Sequence, residues 1–247
     1  MVSRMNREEN GRAEDAPPVL LPGLMCDSRI WSAQIRALAD FSPWAPDGYG
    51  QAESLTAMAR LVLEQAPERM SLAGHSMGAR VALEVVRLAP ERVARLALLD
   101  TGVHATRPGE REKRLALLQL GLGQGMEALV DQWLPPMVHP DRRTDAAFLQ
   151  PMRQMSIDAG IATYRRQMTA LLERPDTAPA LAAIAVPTLV GVGRQDEWSP
   201  IAQHEEIVAR VSTAWLAIFE EAGHMAPVEA AEQINQAFRR WLAAPGR

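Results

Sequence analysis

Three residues in this chain have the types and the order needed to turn a hydroxyl into a nucleophile: Ser76, Asp196 and His224. A serine hydroxyl is a weak nucleophile near neutral pH, so it needs a base, and the base needs a carboxylate to orient it. Ser76 sits in Gly74-His75-Ser76-Met77-Gly78, with a glycine two positions away on either side. That spacing has a steric reason. A serine on a strained strand-to-helix turn requires neighbours without side chains where strand and helix nearly touch, and Ala79 continues the small-residue run. Such a turn raises the hydroxyl and aims the first amides of the following helix at the reacting centre, where negative charge develops. His224 follows Gly223 in a Gly-His-Met loop, and Asp196 ends Gly193-Arg194-Gln195-Asp196, so the chain order is Ser, Asp, His. The chemistry this implies is acyl transfer through a covalent serine intermediate.

Each of these residues has a competitor. Asp100 also follows an apolar run and is an alternative orienting acid, and Glu197 is adjacent to Asp196. His75 lies beside the serine, but adjacent side chains on such a turn diverge, so it reads as a packed or hydrogen-bonded histidine. His104, His139 and His204 have no partner pattern and read as surface or inserted-segment residues. Nothing beside Cys26 lowers a thiol pKa, so an inert buried or pocket-lining thiol is expected there. Trp31 and Trp241 fall on apolar helical faces and read as core, whereas Trp198, two residues after Asp196, is a candidate pocket wall.

These residues must be carried on a frame. Short apolar runs at Val19–Leu21, Met70–Ala73, Val93–Leu99, Val186–Val192 and Ala214–Phe219 end in turn residues or acids, as buried strands do. Apolar residues recur at helical spacing over Ile30–Leu38, Ser54–Gln65, Val81–Leu88 and about Val228–Leu242. Strands alternating with helices predict an α/β domain with a mainly parallel sheet whose faces are covered by helices. The reactive residues then follow strands two, four and five, at the carboxyl edge. Between Thr101 and Val186 the alternation stops. Helical patterns at Arg111–Leu120, Met126–Leu134, Asp145–Ile157, Ile161–Leu172 and Ala178–Ile184 predict an inserted helical cap. Its methionines Met126, Met137, Met152, Met155 and Met168 are expected to fill its own core, although thioethers also suit irregular apolar ligands.

The chain resembles the α/β-hydrolase-fold serine hydrolases, of the capped esterase type, from Val19 to Leu242. The residues that carry the resemblance are Leu21-Pro22-Gly23-Leu24, Asp47-Gly48-Tyr49-Gly50, Gly74-His75-Ser76-Met77-Gly78, Gly193-Arg194-Gln195-Asp196 and Gly223-His224. The resemblance implies Ser76 as nucleophile, His224 as general base and acid, and Asp196 as orienting carboxylate. It also implies the backbone N–H groups of Leu24 and Met77 as the oxyanion hole. The chain departs from the family in two places: Pro22-Gly23 stands where many members have His-Gly, and the Asp47 turn is one residue short.

Composition sets the remaining bounds. The chain has 247 residues, 47% hydrophobic and 23% charged, with a formal net charge of −4. These values fit a globular protein with a substantial core and exclude collagen-like, disordered and coiled-coil readings. The mild, scattered charge gives no reason to expect nucleic acid or a membrane surface as partner. One cysteine forms no intramolecular disulfide, and there is no zinc spacing. The expected organisation is a flexible tail over 1–16, a core over 17–103 and 186–247, and a cap over 104–185. The expected partner is a small-molecule ester or related acyl substrate, with no cofactor and no metal. The lack of an apolar leader or spanning segment gives a cytoplasmic expectation.

Overall fold

The computed structural model describes residues 16–245. The tail expected over 1–16 therefore lies outside the described residues except for Ala16, which is buried and whose carbonyl accepts the Ser71 hydroxyl at 2.9 Å. Five strands form one sheet: β1 (Pro18–Leu21), β2 (Met70–His75), β3 (Val93–Leu99), β4 (Thr188–Gly193) and β5 (Ala214–Phe219). They lie side by side in chain order and every pairing is parallel. Every residue of β1 to β4 is buried, as expected of strands that read as continuous apolar runs. β4 begins two residues later than the apolar run, after Pro187, whose missing N–H cannot extend the ladder.

The helices are α1 (Ser32–Ala37), α2 (Leu55–Gln65), α3 (Met77–Leu88), α4 (Glu110–Gln124), α5 (Met126–Trp133), α6 (Ala146–Leu172), α7 (Ile201–Arg210), α8 (Ala226–Glu229) and α9 (Ala231–Ala243). Their starts follow local chemistry. Ser54 caps α2 by accepting the Ala57 amide at 3.1 Å, and Asp145 caps α6 by accepting that of Phe148 at 3.0 Å. α6 is interrupted at Gly160, whose φ of 75° is not helical, so the two helical patterns on either side of it are physically distinct. The sequence analysis assigns no element over α7, whose inward face sets Ile207 beside His204, which is fully buried rather than on the surface.

α4, α5 and α6 all lie between β3 and β4. Met137, Met152, Met155 and Met168 are buried there, while Met126 packs at the margin. Among the described residues, no helix is long and apolar enough to cross a membrane.

Candidate active site

The turn at the end of β2 is held by contacts only glycine allows. A Cβ on Gly74 would overlap the carbonyl of Gly78, and a Cβ on Gly78 would overlap the carbonyls of Leu21 and Pro22. Ser76 between them has φ 55° and ψ −114°, a strained conformation for a non-glycine residue. Two bonds fix it there: its amide donates to the Leu99 carbonyl at 2.8 Å, and its carbonyl accepts the Thr101 hydroxyl at 3.1 Å. α3 starts at the next residue.

The structure brings Ser76, His224 and Asp196 together. Ser76 Oγ lies 2.7 Å from His224 Nε2, and His224 Nδ1 lies 2.8 Å from Asp196 Oδ2. A carboxylate only accepts, so Nδ1 carries the imidazole hydrogen and Nε2 is free to accept from the serine hydroxyl. Asp196 Oδ1 accepts the amides of Trp198 and Ser199 at 2.8 and 2.9 Å, which fixes the carboxylate plane. Burial pushes the Asp196 pKa up, but the charge and hydrogen bond of His224 and the Ser199 amide outweigh it, leaving the carboxyl below its usual range.

Asp100 does not take that place. Its Oδ1 accepts the Gly193 amide at 2.9 Å, and its buried Oδ2 has no hydrogen-bond partner. Burial, and then the negative charge of Asp196, hold its pKa well above the usual carboxylate value, and its bond to the Gly193 amide braces β4. Glu197 points outward, 62% exposed, to Arg143 at 3.0 Å.

His75 is a packed histidine. Its Nε2 lies 2.7 Å from the His224 carbonyl oxygen, so Nε2 carries the hydrogen. Burial, and then the charge of His224, lower its pKa to about 3. His204 departs from the surface expectation: its Nε2 accepts the Thr101 amide at 2.9 Å, and burial lowers its pKa to about 4. Buried Cys26 is pushed up to about 12, by burial first and then by Asp27, and is an inert thiol of the pocket wall.

Two lobes meet at Ser76 and His224. One has a volume of about 40 Å³ and apolar walls that include Leu24, Cys26, Trp133, Met137 and Met225. The other, about 480 Å³, runs between the end of α3 nearest Ser76 and the start of α4, with Arg80, Lys113, Arg114 and Arg174 in its walls. Trp198 borders both lobes, as its position beside Asp196 suggested.

Leu24 and Met77 flank the serine from two sides. Met77 opens α3, where an N–H has no partner within the helix, and the Leu24 amide makes no hydrogen bond among the described residues. The loop after β1 is braced by residues that carried no sequence signal as positioning groups. The buried Tyr49 hydroxyl donates to the Pro22 carbonyl at 2.9 Å, and the buried Gln167 side chain of α6 accepts the Met25 amide at 2.8 Å, where φ is 55°. Glu229 accepts the amides of Gly223 and His139 at 2.8 and 2.7 Å, so it holds the loop before His224. Isolated polar residues with partners far away in sequence leave no local pattern. Among the described residues, no group of three His, Cys, Asp or Glu side chains is placed to hold a metal ion.

Comparison with known proteins places this geometry. The chain is 30% identical, over 95% of its length, to the dihydrolipoyllysine-residue acetyltransferase component of the acetoin cleaving system of Pseudomonas putida, with 65% of that protein covered. It is 28% identical, over 72% of its length, to the 2-hydroxy-6-oxononadienedioate/2-hydroxy-6-oxononatrienedioate hydrolase of Escherichia coli K12, with 63% of that protein covered. The chain thus spans a little under two thirds of these relatives. A thermophilic esterase from Thermogutta terrifontis superposes with a TM-score of 0.82 at 28% identity, covering 92% of this chain and 89% of the esterase. The sequence pattern of the alpha/beta hydrolase family runs from residue 19 to 237, through both glycine-bounded turns and all three residues of the Ser-His-Asp array, and the chain belongs to that family.

Proposed function

We propose that this protein is a serine hydrolase that cleaves carboxylic esters through Ser76, His224 and Asp196, with an acyl-enzyme intermediate. The observation that carries the reading is the continuous hydrogen-bond chain from Ser76 Oγ through both imidazole nitrogens to Asp196, at the junction of the two lobes. Ser76 Oγ attacks the ester carbonyl as His224 Nε2 takes its proton. The proton then passes to the leaving alcohol, and a water, activated by the same imidazole, releases the acid. Asp196 stabilises the imidazolium that forms in each step. The Leu24 and Met77 amides would receive the developing oxyanion. The helical segment over 104–185 acts as a cap that shapes the larger lobe, whose volume suits a small-molecule substrate.

The same array can act on thioesters, lactones and activated carbon–carbon bonds. The relative named for hydrolysis of 2-hydroxy-6-oxononadienedioate favours keeping the last of these as the second reading. The test is hydrolysis of p-nitrophenyl esters from acetate to laurate by wild type and Ser76→Ala, with fluorophosphonate labelling of both. The expected result is turnover and labelling by wild type only, with Ser76→Ala lower by about three to six orders of magnitude. Labelling without turnover of any ester would move the assignment to the second reading. Activity retained in Ser76→Ala would overturn both.

A further inference from the structure

Arg80 is four residues beyond Ser76 on α3, about 6 Å of helical rise, and its side chain lines the larger lobe. A guanidinium has five N–H donors. Two other guanidiniums are well supplied: Arg92 donates to the carbonyls of Leu63, Ala66, Pro67 and Glu68, and Arg174 donates to Glu110 and to three carbonyls. Among the described residues the Arg80 guanidinium makes one hydrogen bond, Nη1 to the His104 carbonyl at 3.1 Å, and pairs with no carboxylate. Burial first, and then repulsion from Arg174, hold its pKa down to about 9, with Arg114 and Arg107 adding to the repulsion.

Glu110 offsets this only in part, because the lobe's own carboxylates are bonded to other guanidiniums. Glu110 is held by Arg174 at 2.6 and 2.7 Å and by Arg114 at 2.8 Å, and Glu197 turns out to Arg143. Arg80, Arg107 and Lys113 are left without a carboxylate partner among the described residues, around a cavity that opens on Ser76. A partly desolvated guanidinium crowded by like charge gains most from an incoming planar anion, which it can grip with two parallel N–H bonds. The small lobe, about 40 Å³, contrasts with it: its walls are mostly apolar, although Arg114 borders it as well.

We propose that Arg80 is an anion-recognition residue and that the natural substrate carries a carboxylate, seated in the large cationic lobe while a small uncharged group enters the apolar one. This refines the ester-hydrolase reading and rests on it for the reacting bond, but not for the anion site.

Two arms separate the claims. In the first, kcat/KM is measured for monomethyl glutarate and monomethyl adipate and for their neutral carbamoyl counterparts, and also for 4-acetoxybutyrate and its amide, which carry the charge on the alcohol side. Wild type is expected to favour the carboxylate of at least one pair by about tenfold to a hundredfold, mainly through KM. Arg80→Gln brings that ratio to within about twofold, whatever happens to the absolute rates. Arg80→Lys retains part of the ratio, and Arg36→Gln, an exposed charge change elsewhere, retains all of it. In the second arm, adipate is expected to raise the Tm of wild type and of Ser76→Ala but not of Arg80→Gln, whose ligand-free Tm reports its folding. A ratio near one for every pair in wild type, or one that survives Arg80→Gln, overturns the anion site, as does an adipate shift independent of Arg80. An Arg80-dependent shift without cleavage of any ester leaves the anion site standing and removes the ester reading. Ester cleavage with no charge preference and no shift does the reverse.

Discussion

The carboxyl end of the sheet and the helical segment between β3 and β4 both contribute to the site, but they are held in different ways. At the sheet end, position comes from close approach: wholly buried strands, two glycines that admit no side chain, and a serine strained at φ 55°. The helical segment also buries apolar side chains in the core, but it is tied further by polar contacts between residues distant in sequence. Gln167 reaches Met25 across 142 positions, Glu229 reaches His139 across 90, and Arg174 reaches Glu110 across 64. Dense packing tolerates little change, whereas polar ties can be exchanged one at a time. On this division the sheet end fixes the Ser76–His224–Asp196 array and the segment is the more readily altered part, so substitutions in the two regions should fail differently.

The sharpest break belongs at the sheet end. Asp196→Asn is expected to lower kcat by about four orders of magnitude by stabilising the wrong imidazole tautomer, whereas Asp100→Asn, at a side chain bonded to the Gly193 amide and not to His224, changes kcat by less than about tenfold. Steady-state kinetics of the two variants side by side decide this, and the opposite ranking would make Asp100 the orienting acid.

A smaller effect is expected with pH. His75 and His204 are kept neutral down to about 3 and 4, while histidines of the unfolded chain protonate near 6.5. Below about 6.5 the unfolded state therefore binds protons that the folded state refuses. The stability is fully present above that pH and is lost as pH falls, by up to about 1.4 kcal/mol per unit for each histidine. Glu110 in the helical segment, lowered to about 2 by its arginines against the opposing effect of burial, stays ionised throughout this range. Urea midpoints at pH 7, 6 and 5 should fall steadily, less steeply in His204→Gln and unchanged in slope in Glu110→Gln. A slope left unchanged by His204→Gln would show that His204 titrates normally in the fold.

The smallest effect is at the join between the regions. Gln167→Leu leaves the Met25 amide buried without an acceptor and is expected to cost about 1–3 kcal/mol, with a parallel loss of kcat because the Leu24 loop loosens. Denaturant titration and kinetics on the same preparation check both. An undisturbed kcat would mean that Tyr49 alone holds the loop.

The contrast also decides what could be read beforehand. Ser76, Asp196 and His224 were legible because each sits in a short run of turn residues whose spacing has a local steric cause, and the strands because buried runs are continuous. The Gly193-Arg194-Gln195-Asp196 loop favoured Asp196 over Asp100, yet both follow strands, and it is the contact with His224 Nδ1 that separates them. α7 was missed because its inward face is partly polar, and His204 was misplaced with it. Arg80 carries no signal at all in sequence: its meaning lies in the partners it lacks. Gln167 and Glu229 are equally silent, because a polar side chain is identified as a brace only by what it reaches.

The clasp at Glu229 has a mechanical consequence. One carboxylate grips the peptide N–H of Gly223, immediately before the base, and that of His139, while the Met225 amide donates to the Met137 carbonyl at 3.1 Å. The stretch 137–139 and the imidazole loop are therefore sewn together along one seam. A shift of this stretch would therefore carry the His224 loop with it, so the aim of the imidazole at Ser76 and the placing of the segment's edge are set by one and the same seam.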